Sequence, residues 1–180
     1  MESEIISAIK ILNSGGVILY PTDTIWGIGC DATDNKAIEK IYNIKKRKEN
    51  KALITLVADK KMLKKLTNYI PEIDITSSPT SVIYQNVNGL SKNLLASDGS
   101  AAIRIVKDDF CKKLILKFGK AIVSTSANIS KSQAPTQFSD ISNEIISNID
   151  YIVNLRKKDI RNKPSRIIKI EKNGSITKIR

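Results

Sequence analysis

The chain of 180 residues contains no histidine at all. That absence excludes a Ser-His-Asp or Cys-His catalytic arrangement, a His-ligated zinc and an imidazole general base. Cysteine is scarce: Cys30 and Cys111 lie far apart, with no CxxC pair, and read as buried thiols of a reducing compartment. No GxxxxGK[ST] segment occurs, so there is no P-loop. The apolar runs are far too short to span a bilayer, and MESEIISAIKIL carries two acids too early for a secretory leader. A soluble, cytoplasmic protein with no membrane partner is expected. Any chemistry must come from Lys, Arg, Asp, Glu, hydroxyls, backbone groups or a metal held by oxygen.

Positive charge is plentiful. Thirty basic residues stand against 18 acidic ones, a formal net of +12. Such an excess favours anionic partners, whether nucleotide, RNA or an acidic surface, although a lysine-rich solvated surface accounts for part of it. The length fits one domain, 1–180, and no shift in composition marks a second.

Periodicity predicts a helix over residues 3–13, stopped by Gly15-Gly16, then a buried strand VILY (17–20) ended by Pro21. Asp34 is placed to cap a helix carrying Ile38, Ile41, Tyr42 and Ile44, with a basic end at Lys45 to Lys48. Strands are expected at 52–57, 81–87, 101–106, 121–125, 151–155 and 166–170. Helices are expected from Asp59 to Leu66, from Asp108 to Lys117 with Gly119 closing it, and over 139–147. Asn173-Gly174 signals a final hairpin into SITKIR. Strands and helices alternate without repeats, which defines an α/β fold with a mixed sheet.

Three segments carry candidate chemistry. In YPTDTIWG a strand releases into Thr22, Asp23 and Thr24. The hydroxyls suit a small ligand and Asp23 a metal or an amine, while an ordinary Asx and Thr turn competes with that reading. In IKKRKENK, Lys45 and Arg47 would diverge on a regular helix, but a turn could aim both at one phosphate, with Lys51 as a third cation. STSAN places hydroxyls and an amide, Ser124 to Asn128, at the end of a buried strand, the edge where α/β sheets hold ligands. Arg104 interrupts the apolar AAIRIV, so it is paired or faces a polar cavity, with a half-exposed strand face as the plain alternative.

Together and in this order, these segments resemble the YrdC-like family of L-threonylcarbamoyl-AMP synthases over nearly the whole chain. The match covers YPTDTIWGIGCDA, the KxR of Lys45 and Arg47, Arg104, the SxN of Ser126 and Asn128, Pro164-Ser165 and the basic Arg180. The chain departs from the family pattern at Lys48 and Ala52, where prolines are usual. It departs again at SSPTS, with Ser81 in the place of threonine, at Ser130-Lys131, and at Arg166.

The resemblance implies a twisted mixed sheet with surrounding helices and a basic concave groove, in the short single-domain form. It implies that L-threonine, bicarbonate and ATP, with Mg2+ bridged mainly by phosphates and water, give threonylcarbamoyl-AMP and pyrophosphate. Other proteins would then carry the group to a tRNA adenosine beside the anticodon. Lys45, Arg47, Ser126 and Asn128 would be catalytic. Those four with Lys51, Ser100, Ala134 and Arg180 would hold ATP, and Thr22, Arg104, Ser124 and Ser165 would hold threonine. Arg166 would add positive charge near the site. A module binding double-stranded RNA or tRNA, and a paralogue with another carbamoyl or acyl substrate, remain as alternatives.

Overall fold

The helices start where a short polar side chain can take up a free backbone amide. In the computed structural model, which describes residues 1–47, 53–171 and 175–180, Asp34 accepts from the amides of Lys36 and Ala37 and so begins α2 (Asn35–Ile44). Asp59 does this for α3 (Lys60–Leu63), Asp108 for α4 (Asp109–Phe118) and Ser142 for α5 (Asn143–Ile146). Gly119 closes α4 at φ +77°, a left-handed turn that suits glycine. The first helix, α1, spans Glu2–Asn13.

The strands are β1 (Ile18–Tyr20), β2 (Gly27–Gly29), β3 (Ile54–Val57), β4 (Thr80–Tyr84), β5 (Ala101–Ile105), β6 (Ile122–Ser126), β7 (Tyr151–Ile152), β8 (Arg166–Ile170) and β9 (Ile176–Lys178). They form one sheet in the order β7-β1-β2-β6-β3-β5-β4-β8-β9. The pairs β1–β7, β3–β5 and β4–β8 are parallel and the others antiparallel, so the sheet is mixed as expected. Each strand sends alternate residues to opposite faces. On β3, Leu56 packs with α1 and α4 through Ile5, Leu12, Phe110 and Leu114. Val57 joins the other core, with Ile38 and Ile41 of α2. Helices therefore cover both faces. Among the described residues no helix is long and apolar enough to cross a membrane.

Three expectations change and one strand is new. GIG forms β2 although it lacks the bulky residues that mark a strand. An added Cβ at Gly29 would stand 2.3 Å from the Val123 carbonyl oxygen, so the close pass of β2 over β6 requires glycine. The helix expected over 139–147 splits into a 3-10 turn (Phe138–Asp140) and α5, because Ser142 caps a new start. The strand expected over 81–87 stops at Tyr84, and YIVNL contributes only Tyr151 and Ile152. The Asn173-Gly174 turn lies outside the described residues, but β8 and β9 do pair antiparallel around it.

Candidate active site

A cavity of about 390 Å3 opens beside the ends of β2 and β6, on the sheet face that carries Ile54, Ala102 and Arg104. Its polar lining comes from distant segments: Thr24, Arg47, Arg104, Ser124, Thr125, Ser126, Ser165 and Arg180. Its apolar wall includes Trp26, Leu53, Ile54, Ile83, Ala102 and Ile167. A larger cavity, about 660 Å3, lies past the ends of β4 and β8. It contains no cation among Thr67, Asn68, Tyr69, Tyr84, Gln85, Asn86, Asp98, Ile170 and Glu171. The smaller one holds the segments singled out above.

The KxR turn shows how the chain divides its cations. α2 ends at Ile44, and Lys46 takes φ +48°. Lys45 and Arg47 therefore leave in different directions. Arg47 lines the cavity, and burial lowers its guanidinium from its ordinary value. Lys45 is 1% exposed and does not line it. Its ammonium donates to the carbonyls of Ser126 and Asn128, the latter at 2.6 Å. The Lys45 carbonyl in turn accepts from the Ser130 amide at 2.9 Å. Lys45 thus clamps STSAN to the end of α2, while Arg47 faces the cavity. Burial first, and then Arg47, pull the Lys45 ammonium down to about 7.

Of the other expected residues, Ser124, Ser126, Ala134, Ser165, Arg104 and Arg180 line the cavity; Thr22, Asn128 and Ser100 do not. Thr22 is buried behind it, where its hydroxyl donates to the Ile25 carbonyl at 2.7 Å and accepts from the Thr24 amide at 3.0 Å. Those bonds shape the loop and leave Thr24, not Thr22, on the surface of the site. The Asn128 side-chain amide donates to the carbonyls of Ile129 (3.0 Å) and Ser132 (2.6 Å), so it folds its own loop. Ser100 sits at a turn, its amide donating to Asp98 at 3.1 Å. Lys51 lies outside the described residues. Ser165 shares a 2.9 Å hydrogen bond with Ser81, and Arg180 donates twice to the Ser165 carbonyl, at 3.2 and 3.1 Å. The Arg166 guanidinium faces Thr80 at 2.8 and 3.1 Å and does not line the cavity, so it adds no charge to the lining.

Arg104 has a resident counter-ion. Asp23 Oδ1 lies 2.9 Å from Arg104 Nη2, with both side chains under a tenth exposed. Neither Asp23 Oδ1 nor Arg104 Nε makes a hydrogen bond. Removing one partner of such a buried pair costs about 3–5 kcal/mol. Burial pushes the thiols of Cys30 and Cys111 well up, which keeps them protonated and unreactive.

A mixed α/β sheet with three guanidiniums and several hydroxyls around one cavity defines a receptor for phosphate and carboxylate groups. The Sua5/YciO/YrdC family profile, described as telomere recombination, matches residues 10–180, and the chain belongs to that family. It is 33% identical over 155 residues to the threonylcarbamoyl-AMP synthase of Psychromonas ingrahamii, covering 82% of this chain and 81% of that one. The fold matches the crystal structure of P. abyssi Sua5 complexed with L-threonine (TM-score 0.84, 22% identity, all of this chain) and that of E. coli YciO (0.83, 20%, all of this chain and 89% of that one). The chain spans 54% of the Sua5 protein, about half its length.

Proposed function

We infer that the chain is a threonylcarbamoyl-AMP synthase, converting L-threonine, bicarbonate and ATP into threonylcarbamoyl-AMP, pyrophosphate and water. The observation that carries this is the meeting in one cavity of Arg47, Arg104 and Arg180 with Ser124, Ser126 and Ser165, in a member of a family whose relatives bear that name. The threonine amine forms an N–C bond to the bicarbonate carbon, a C–O bond of bicarbonate breaks, and that oxygen leaves as water with the proton given up by the amine. A carbamate oxygen then attacks the α-phosphorus of ATP, and the bond to the β-phosphate oxygen breaks. Such a displacement needs positioning and charge neutralisation and no protein nucleophile, which suits a site without histidine.

Arg47 and Arg180 hold the triphosphate, and Ala134 borders the nucleotide. Arg104 takes the threonine carboxylate, with Ser124 and Ser165 beside it. Ser126 orients a phosphate or carbamate oxygen. Lys45, Thr22 and Asn128 act from behind, by holding the backbone that presents these groups. Mg2+ enters with ATP as part of the substrate; among the described residues the cavity lining offers no carboxylate. The apolar wall around Trp26 and Ile54 limits water, which decomposes both carbamate and mixed anhydride. The product would pass to proteins that transfer the group to tRNA in the cytoplasm, and the +12 charge supports a direct contact with tRNA.

The test is incubation with ATP, Mg2+, bicarbonate and a panel of amino acids, measuring pyrophosphate and the adenylate. Release that requires threonine and bicarbonate together is expected. Equal release without threonine would mark a nucleotide hydrolase instead.

A further inference from the structure

Three guanidiniums face one cavity, and on charge alone a triphosphate would take all of them. They are not equivalent. Arg104 carries a buried carboxylate, Asp23, at 2.9 Å, and among the described residues no carboxylate stands in the lining itself. Asp23 is absent from the cavity lining, and Arg104 joins it to the cavity. Its place is fixed from several sides. Its Oδ2 accepts from the Lys107 amide at 3.3 Å, just past β5, which carries Arg104. The loop begins at Pro21, whose carbonyl accepts from Arg156 at 3.1 Å and from the Cys111 thiol at 3.5 Å. Thr22 holds the next turn through Ile25 and Thr24.

We propose that Asp23 is a positioning residue that reserves Arg104 for the single negative charge of an amino-acid carboxylate and diverts the triphosphate to Arg47 and Arg180. This rests on the synthase reading above. Two features support it. The ion pair sets Nη2 against Asp23 and leaves the buried Nε unspent, a donor for a second anion. A carboxylate can share that guanidinium with Asp23 at the cost of one like-charge contact. A phosphate carrying about two charges meets that repulsion roughly twice over, in a buried site where screening is weak. Asp23 thus sorts two anionic substrates that would otherwise compete for the same cations.

The experiment compares wild type with Asp23→Asn, which keeps the shape and removes the charge. At saturating ATP the threonine KM should rise about tenfold or more, because the triphosphate now competes for the unshielded Arg104, while the ATP KM changes less than about threefold. Pyrophosphate should compete only with ATP in wild type, and with both ATP and threonine in the variant. Calorimetric titration with pyrophosphate, which needs no turnover, should show tighter binding to Asp23→Asn than to wild type. The gain should vanish in Asp23→Asn/Arg104→Met. An unchanged threonine KM with an unchanged inhibition pattern, or a gain that survives loss of Arg104, overturns the proposal. Should Asp23→Asn not fold, Asp23→Glu carries the test: the charge is kept but displaced, so threonine KM rises while pyrophosphate affinity stays at the wild-type level, and an unchanged KM refutes it. Wild type that makes no threonylcarbamoyl-AMP would defeat the synthase reading alone, because the pyrophosphate titration still decides whether Asp23 shields Arg104.

Discussion

Replacing Lys45 by methionine keeps most of the buried stem and removes the charge. In wild type, burial and Arg47 lower the ammonium from 10.5 to about 7. Below pH 7 Lys45 is protonated in both folded and unfolded chains, and the cost of burying its charge is fully present. Between about 7 and 10.5 the unfolded chain binds a proton that the folded chain lacks, so stability rises with pH through that window. Taken alone this amounts to ~1.4 kcal/mol per pH unit, or ~5 kcal/mol across the window. The carbonyls of Ser126 and Asn128 accept from the charged form and oppose the effect. We therefore expect roughly half of it, ~1–2 kcal/mol between pH 7 and 9. The clamp itself survives deprotonation, because a neutral amine keeps two N–H groups for two carbonyls. Urea unfolding of both proteins at pH 7, 8 and 9 tests this, since their difference cancels the other lysines and tyrosines. Lys45→Met should be the less stable at each pH, having stranded two carbonyls, and the gap should widen as pH rises. A gap constant within ~0.3 kcal/mol would refute the reasoning and show that the carbonyls keep the ammonium charged.

Arg47→Ala should retain its circular dichroism spectrum and lose turnover about thirty- to thousand-fold, the usual effect of deleting a charge-assisted contact to a reacting phosphate; near-normal turnover would return Arg47 to the solvated surface. Gly29→Ala should lower stability by ~2–4 kcal/mol in thermal or urea unfolding, because the new methyl would stand 2.3 Å from the Val123 carbonyl oxygen and 2.7 Å from the Tyr20 ring. Wild-type stability in Gly29→Ala would mean that β2 does not pass so close to β6.

What could be read from the chain was mostly local. Asp34, Asp59 and Asp108 announce their helices because a cap acts within three residues, and Gly119 ends α4 for the same reason. Arg104 was legible as a residue needing a partner, since a guanidinium amid AAIRIV cannot stay unanswered. That the partner is Asp23 was not, because it depends on bringing the loop after β1 beside β5. The direction of Lys45 was equally hidden. It turns on the left-handed backbone at Lys46, a conformation no lysine advertises. Thr22 and Thr24 look alike in PTDT, and only the bond to the Ile25 carbonyl sends one inward. The apolar wall went unread because Ile83, Ala102 and Ile167 become neighbours only through the strand order.

That strand order also governs when the cavity can exist during folding. Ile54 lies beside both Ala102 and Ser124, and Thr80 lies beside Arg166, so the walls close only after pairings distant in sequence have formed. Loop closure on this scale is slow, and parallel crossovers are among the slowest to form. A chain folded only through β6 would lack Ser165 and Arg180, and with them the wall that faces Arg47 and Arg104. The converse is a stabilising grip: a ligand touching β5, β6 and the segments flanking β8 and β9 binds only the completed structure. Saturating nucleotide should then resist unfolding of the entire sheet, by ~2.7 kcal/mol at a hundred times its dissociation constant, and not merely steady the loops it touches.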